Sequence, residues 1–313
     1  MNSLSYKGIG FVFAIFSALF WGTNGTFCTL LSNLGFNTLN IAILAPSFNL
    51  MFFSALLFFT NKSGFKVGGR IFGLLLLGGL TSAITNTSFV KSVSYFPVGI
   101  VSTLVFCNVF VLMILSRIVF KSKITLKKIG AAITAILGVC LVLDVFSQGF
   151  QYDSNGLVWI ALTILSWSTM MTLEKYLLEQ GVDGNAILMY VALFAVLILS
   201  ISTPPLALVR NIIQISSQTN GYALLVLLGF GLIPQIGCYA FYIKGLNYIE
   251  PSYMQIMYSL DPVVASFLGF LVFNQTMNLS NILGILLILG VVIYVQITES
   301  RVEIKAMAEI VKV

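Results

Sequence analysis

Histidine is absent from this chain of 313 residues, and charged side chains make up only 8% of it. Because histidine is the commonest metal ligand and acid–base residue, zinc hydrolases and haem proteins lose their usual ligand or catalyst. A soluble fold of this size needs far more charge, since most of its surface must contact water. Together with 58% hydrophobic residues, this shortage of charge predicts an all-α polytopic membrane protein.

Cysteine is also scarce, and its placement excludes two common uses. Cys28, Cys107, Cys140 and Cys238 all lie inside apolar runs, which is the pattern of neither a disulfide framework nor a metal site. No Walker-type phosphate loop is present, so direct coupling to ATP is not expected. The loops also lack the clustered acids and cysteines that a membrane-embedded enzyme would need. We therefore expect no enzymatic activity, no metal and no cofactor.

Ten apolar segments, each near the length of about 20 residues that crosses a lipid bilayer as a helix, account for almost the whole chain. They cover residues 8–31, 38–60, 70–91, 97–119, 126–145, 156–179, 185–209, 222–244, 251–273 and 279–298. The connections between them are short, so no domain outside the membrane is expected.

The basic residues indicate the orientation of these spans. The net charge of +6 does not form one patch, which argues against a nucleic-acid partner. If the N-terminus is cytoplasmic, Lys91 and Arg210 are the only basic residues on the outer side. Because cytoplasmic loops of membrane proteins are enriched in lysine and arginine, both termini are predicted to be cytoplasmic. The membrane is predicted to be the cell membrane, that is, a plasma or inner membrane.

Two halves of five spans resemble each other. The stretch Phe16-Ser-Ala-Leu-Phe-Trp-Gly22 matches Leu162-Thr-Ile-Leu-Ser-Trp-Ser168, and later segments match in the same order. Because five is odd, the two copies must insert upside-down to each other, which is the inverted repeat typical of alternating-access transporters. The predicted division is residues 1–148 for the first repeat, 149–300 for the second and 301–313 for a cytoplasmic tail.

One acid lies near the middle of the ninth span. Asp261 is followed by Pro262, whose missing N–H weakens the helix at this turn. An acid at such depth costs about 2.5–3.5 kcal/mol on insertion scales, so it usually faces a polar interior. On a continuous helix, Gln255, Tyr258 and Asp261 would share one face. A functional acid and a structural kink are both compatible with this pattern.

These residues resemble the drug/metabolite transporter superfamily, in its ten-helix form with paired EamA domains. The carrying stretches are Ser17-Ala-Leu-Phe-Trp-Gly22, Leu165-Ser-Trp-Ser168 and Asp261-Pro-Val-Val-Ala-Ser-Phe-Leu-Gly269. The chain departs from the family in lacking its usual glycine and glutamate after the fourth and ninth spans, and Cys107-Asn108 replaces the acid–proline pair in the first half. The resemblance implies metabolite transport through a central cavity lined by spans 1, 3, 4, 6, 8 and 9.

Helical spacing places polar and aromatic side chains in stripes on several of these spans. A pocket of rings and amides with few charges suits an amphipathic solute, and aromatic faces could hold an ammonium group by cation–π contact. The predicted cavity residues are Trp21, Asn24, Ser82, Asn86, Asn108, Trp167, Gln235, Tyr239, Tyr242, Gln255, Tyr258 and Asp261.

A second acid, Glu174, precedes Lys175 about one turn from the cytoplasmic end of the sixth span. The favoured interpretation is a pair that snorkels to the headgroup region. A role for Glu174 in coupling transport to an ion, alongside Asp261, is the alternative.

The function predicted is secondary transport of small organic metabolites, with export of amino acids or related compounds as the leading hypothesis. Import of choline or another amine is the alternative within transport, and an ion channel is the alternative from another class. The expected partners are a small-molecule solute and the lipid bilayer. Gly130, Gly138, Gly284 and Gly290 in spans 5 and 10 would allow close packing within the monomer or across a homodimer interface.

Overall fold

The computed structural model describes residues 6–96, 98–143, 145, 153–273 and 278–310, and every regular element among them is helical. A 3₁₀ turn at Lys62–Phe65 and a π-helical segment at Gly231–Gly237 interrupt the α-helices. The α-helices are α1 Tyr6–Trp21, α2 Asn24–Asn33, α3 Thr38–Thr60, α4 Gly69–Val93, α5 Val98–Phe106, α6 Asn108–Phe120, α7 Leu126–Val142, α8 Ser154–Glu179, α9 Gly184–Leu199, α10 Pro205–Gln218, α11 Tyr222–Phe230, α12 Cys238–Tyr248, α13 Pro251–Met257, α14 Leu260–Phe273 and α15 Leu279–Ile310.

Seven helical stretches in the described part of the chain are long and apolar enough to cross a membrane. Two shorter apolar helices, Leu104–Phe120 and Gly184–Leu199, accompany them. Large apolar side chains such as Phe59 and Leu126 are exposed on the outside of the bundle, where lipid is the natural solvent. The prediction of an all-α polytopic membrane protein is therefore confirmed, while the count of ten spans stays a prediction.

Side-chain caps fix where several of the helices begin. Asn37, Thr125, Asp153 and Asp183 each accept a hydrogen bond from a backbone N–H in the first turn of α3, α7, α8 and α9. Since the first N–H groups of a helix have no partner inside it, such caps stabilise the chosen start by about 0.5–2 kcal/mol.

Several predicted spans are discontinuous. The first span breaks between α1 and α2, the fourth at Cys107, and the ninth at Tyr258 and Ser259. The expectation that Gln255, Tyr258 and Asp261 share one face of a continuous helix is therefore wrong. Because Pro262 has no N–H to donate to the carbonyl of Tyr258, the helix ends there and restarts at Leu260.

The seventh span ends earlier than expected. Helix α9 stops at Leu199, and a separate helix α10 begins at Pro205, so the predicted continuation to residue 209 is wrong. Pro204 and Pro205 lack the backbone N–H groups that would extend α9, and they suit the first turn of a new helix instead. Helix α10 buries Leu208 and Ile215 against the bundle.

Several contacts between two helices have a counterpart formed by the equivalent helices of the other half. Helix α4 packs on α8 as α12 packs on α1, and α6 packs on α8 as α13 and α14 pack on α1. The pairs α3 with α9, α6 with α13 and α7 with α15 each join equivalent spans of the two halves. This is the arrangement expected of two repeats related by a pseudo-two-fold axis.

Helices α7 and α15 approach closely at two glycines. A Cβ at Gly284 would lie 2.7 Å from the carbonyl oxygen of Gly138 and 2.7 Å from the backbone nitrogen of Val142. Nothing lies within 4 Å of the corresponding position at Gly130 or Gly290. Only the contact between Gly138 and Gly284 therefore depends on the absence of side chains, as is typical of closely packed membrane helices.

Candidate functional site

A cavity lies in the interior of the bundle between helices of both halves. It is lined by parts of α1, α3 and α4 from the first half and of α8, α9, α12 and the π-helical segment from the second. Its volume is about 40 Å³, close to the roughly 30 Å³ that one water occupies in the liquid. The lining residues are Trp21, Ala45, Pro46, Asn49, Ser82, Asn86, Met170, Glu174, Leu188, Val191, Ala192, Gln235 and Tyr239.

Glu174 is the only acidic or basic residue among the described residues that line this cavity. The side chain is completely buried, and its Oε2 accepts a hydrogen bond of 2.5 Å from the hydroxyl of Tyr242. Its Oε1 has no hydrogen-bond partner in the described part of the chain. No lysine or arginine among the described residues lies within ion-pair distance of this carboxyl group. A carboxyl group held this way can accept a proton or a cationic group from the cavity.

The π-helical segment places a buried amide at the cavity. Gln235 lies in this segment, next to Pro234, and its Nε2 donates a hydrogen bond of 3.0 Å to Oδ1 of Asn24. Its own Oε1 is buried without a partner among the described residues. Local π-helical turns cost backbone hydrogen bonding and are frequent at functional sites, where they redirect side chains.

Aromatic rings form a chain along one side of the site. The rings of Trp21 and Tyr239 meet edge to face at 6.2 Å, Tyr239 meets Tyr242 at 5.8 Å, and Tyr242 stacks on Tyr258 at 6.4 Å. The Tyr258 hydroxyl is 2.8 Å from the Ser17 hydroxyl on α1. These contacts join α1, α12 and the break in the ninth span, and the Tyr242 hydroxyl links them to Glu174 on α8.

The structure separates the predicted cavity residues into three groups. Trp21, Ser82, Asn86, Gln235 and Tyr239 line the cavity, as does Glu174. Asn24 and Tyr242 bind lining side chains without lining the cavity, and Tyr258 stacks on Tyr242 one step further away. Asn108, Gln255 and Asp261 are not among the lining residues, and Trp167 does not line the cavity but packs on an apolar cluster that includes the lining residues Met170 and Val191.

Trp21 and Trp167, which occupy equivalent positions in the repeats, differ in their surroundings. Trp21 lines the cavity, whereas Trp167 packs against apolar clusters that include Met170 and Leu75. The half-buried ring of Trp167 therefore contributes to packing between helices.

Asp261 and Asn108 lie at equivalent helix breaks. A Cβ at Gly22 would be 3.0 Å from the carbonyl oxygen of Asp261, so the breaks of the first and ninth spans touch. In the other half, the Ser168 hydroxyl donates to the carbonyl oxygen of Asn108 at 3.4 Å. Asn108 is fully buried, and neither polar atom of its side chain has a partner in the part of the chain that the structure describes.

The interpretation of Glu174 and Lys175 as a snorkelling pair is wrong. Glu174 is completely buried at the cavity, and Lys175 is also buried. The Lys175 ammonium turns away from Glu174 and donates to the carbonyl oxygens of Leu246 and Asn247, at 2.7 and 3.3 Å. Position along one span does not reveal that α12 covers this end of α8.

Two spans that line the cavity, the second and the seventh, are not among the six spans that the family resemblance implied. Asn49 and Pro46 lie on the second span, and Leu188, Val191 and Ala192 lie on the seventh. No residue of the fourth or ninth span appears among the described lining residues. In the second span, Asn49 lies three residues after a proline in a mostly apolar helix, and this pattern could have indicated a lining role. The apolar residues of the seventh span carry no such indication.

Charged groups connect the repeats at the end of the bundle where α7 begins. Lys128 donates a hydrogen bond of 2.6 Å to Oε2 of Glu250, and its ammonium lies 4.2 Å from the centroid of the Tyr253 ring. The bonds from Lys175 to α12 lie on the same predicted cytoplasmic side. The Lys128–Glu250 pair therefore joins the two repeats at this end, whereas the bonds from Lys175 join two helices of the second repeat.

Comparisons with known proteins agree with this architecture. The profile of the EamA-like transporter family matches residues 8–144 and again residues 154–296. A solved structure described as "Crystal structure of protein" superposes with a TM-score of 0.70 at 14% identity, covering 93% of this chain and 98% of that one. At this identity the likeness shows the fold alone. No curated protein sequence matches the chain significantly.

The membrane-spanning helices and the family profile that matches both halves define a multi-pass membrane transporter of the drug/metabolite type. Because the family profile matches both halves and nearly the whole length, the chain belongs to the EamA-like transporter family.

Proposed function

We propose that the chain is a secondary transporter that moves small organic metabolites across a cell membrane by alternating access around this cavity. The observation that carries the proposal is the lining itself. Helices of both repeats contribute polar and aromatic groups to one space, so a movement of one repeat against the other would change access to that space.

The size of the cavity supports a conformational cycle. Sites for organic ligands usually measure about 300–1,000 Å³, which is several times the 40 Å³ of this cavity. We therefore expect the cavity to widen as the repeats move against each other, so that it can admit a metabolite. The Lys128–Glu250 pair, which joins the repeats at the predicted cytoplasmic end, is proposed to break during this movement.

The solutes proposed are amino acids or related compounds, moved outward, as the family resemblance implies. Uptake of choline or another amine is the alternative, and the aromatic rings of Trp21 and Tyr239 support a cationic solute in either direction. For ion coupling we favour Glu174 over Asp261, because Glu174 lines the cavity and Asp261 does not.

Solute counterflow in liposomes that contain the purified chain tests this proposal. Liposomes preloaded with one unlabelled compound are diluted into its labelled form, using amino acids, their amides, amines, choline, sugars and nucleosides in turn. We expect saturable accumulation of one chemical class, lowered by Trp21→Ala, with Trp167→Ala as the matched control. Absence of counterflow for every class would contradict transport, and an ionic current in the same liposomes would favour a channel.

A further inference from the structure

Three buried oxygens without partners belong to side chains that line the same cavity. They are Oε1 of Glu174, Oε1 of Gln235 and Oδ1 of Asn49, and none has a hydrogen-bond donor in the described chain. Their side chains come from α8, the π-helical segment and α3, and each residue is at least nine-tenths buried. Since buried polar atoms in proteins are nearly always hydrogen-bonded, these three acceptors require a donor, either an ordered water or the N–H or O–H groups of a solute.

The charge of the cavity narrows the chemistry of that ligand. Glu174 brings a carboxyl group, and no lysine or arginine is among the described lining residues. The neighbouring Lys175 is engaged by the carbonyl oxygens of Leu246 and Asn247. An anionic solute would therefore meet a carboxyl group and acceptor oxygens with no cation to balance them.

The other lining residues indicate which kind of cation the cavity can bind. A bare metal ion needs about six or more oxygen ligands, whereas much of this wall is rings and apolar side chains such as Trp21, Met170 and Leu188. A quaternary ammonium would balance the charge but has no N–H to give to the three oxygens. A protonated primary amine supplies one positive charge and three donors.

We propose, building on the transport function above, that this cavity binds the ammonium head of a solute that carries a protonated primary amine. Glu174 is the counter-charge, Gln235 and Asn49 accept the other N–H groups, and Trp21 and Tyr239 pack against the head. The volume of about 40 Å³ fits such a head, while the body of the solute occupies space that opens with the repeats. A free carboxylate beside the amine finds no basic residue, so amines and amino-acid amides bind better than free amino acids.

Binding of a matched series of probes to the full chain in detergent tests this assignment. The probes are 2-phenylethylamine, its N,N,N-trimethyl derivative, 3-phenylpropionate and sodium chloride, in potassium HEPES buffer without Tris. Calorimetry and the melting temperature report binding. We expect the primary amine to bind about tenfold or more tightly than the trimethyl compound, and 3-phenylpropionate not to bind.

Two variants assign the interaction to its residues. Glu174→Gln should weaken 2-phenylethylamine binding about tenfold or more. Glu179→Gln removes a half-exposed acid of the same helix that lies 3.7 Å from the Lys175 ammonium and outside the cavity lining, and it should leave binding within about twofold. Asn49→Leu removes one acceptor and should weaken the primary amine while leaving the trimethyl compound unchanged. A melting temperature without ligand that equals that of the parent chain shows that a variant is folded. If Glu174→Gln does not fold, Asn49→Leu provides the test.

Several results would overturn the assignment. Equal affinity for the primary and trimethyl amines, stabilisation by sodium chloride alone, tighter binding of 3-phenylpropionate, or no response to any probe would each do so. Counterflow separates this inference from the proposed function. Counterflow of another solute class only would support the transport function and contradict the amine site. Amine binding without any counterflow would support the amine site and contradict the transport function.

Discussion

Breaking the ion pair between Lys128 and Glu250 should open the predicted cytoplasmic end of the bundle. The two charged atoms are 2.6 Å apart, with the lysine side chain 2% exposed and the glutamate side chain 30% exposed. An exposed pair contributes about 0–1 kcal/mol, while loss of one partner from a buried pair costs about 3–5 kcal/mol. For this half-buried pair we expect about 1–3 kcal/mol, the range of coupling energies that shifts a conformational equilibrium about 5–150-fold.

The assay follows the accessibility of a cysteine behind the ion pair. Met254 on α13 is fully buried, so Met254→Cys, in a chain whose natural cysteines are replaced by alanine, reports opening of this end. Lys128→Met and Glu250→Gln should each raise its alkylation rate about fivefold or more. Lys127→Met is the matched control, because Lys127 is the exposed neighbour on the same helix.

A double-mutant cycle decides whether the two residues act through each other. If the pair holds the end closed, the double variant should be labelled about as fast as either single variant. Single effects that add within about 0.5 kcal/mol, or labelling rates equal to that of the parent chain, would refute the reasoning.

Two further predictions concern stability in detergent. Tyr242→Phe removes the one hydrogen bond that the described residues give to the buried Glu174 carboxyl group. The loss should cost about 1–3 kcal/mol, seen as a lower melting temperature; no change would show that the bond is not maintained in the native state. Gly284→Ala places a methyl group against the Gly138 carbonyl oxygen and should cost about 1–3 kcal/mol, whereas Gly290→Ala, which faces open space, should be neutral; equal effects would contradict the predicted contact.

The fold class followed from the sequence because apolar length is a direct requirement of the bilayer. What hydropathy could not reveal was where a span breaks or which neighbour covers it. The restart at Leu260 follows from Pro262, but the break between α1 and α2 at Gly22 has no proline, and no side chain fits at Gly22 against Asp261 and Val264. The end of α9 at Leu199 was missed because the apolar run continues past the proline pair Pro204 and Pro205.

The candidate site was predictable where polar groups recur at helical spacing, as at Gln235 and Tyr239. It was not predictable for Glu174, because burial of an acid depends on packing by another helix. Asp261 attracted attention as an acid in mid-span, yet it lies outside the lining of the cavity. Whether these residues bind solute stays a prediction that the binding and counterflow experiments address.

The packing between the halves has a consequence for how the protein assembles. The most extensive helix pairs, among them α4 with α8, α1 with α12 and α7 with α15, each join one repeat to the other. The largest apolar cluster likewise mixes Phe11 and Leu112 with Met171 and Met254. Each apolar cluster of the described residues combines side chains from both repeats, so we expect neither half to fold fully before the other is present in the membrane. Two separately translated halves, cut between Val142 and Ser154, should accumulate only when they are made in the same cell.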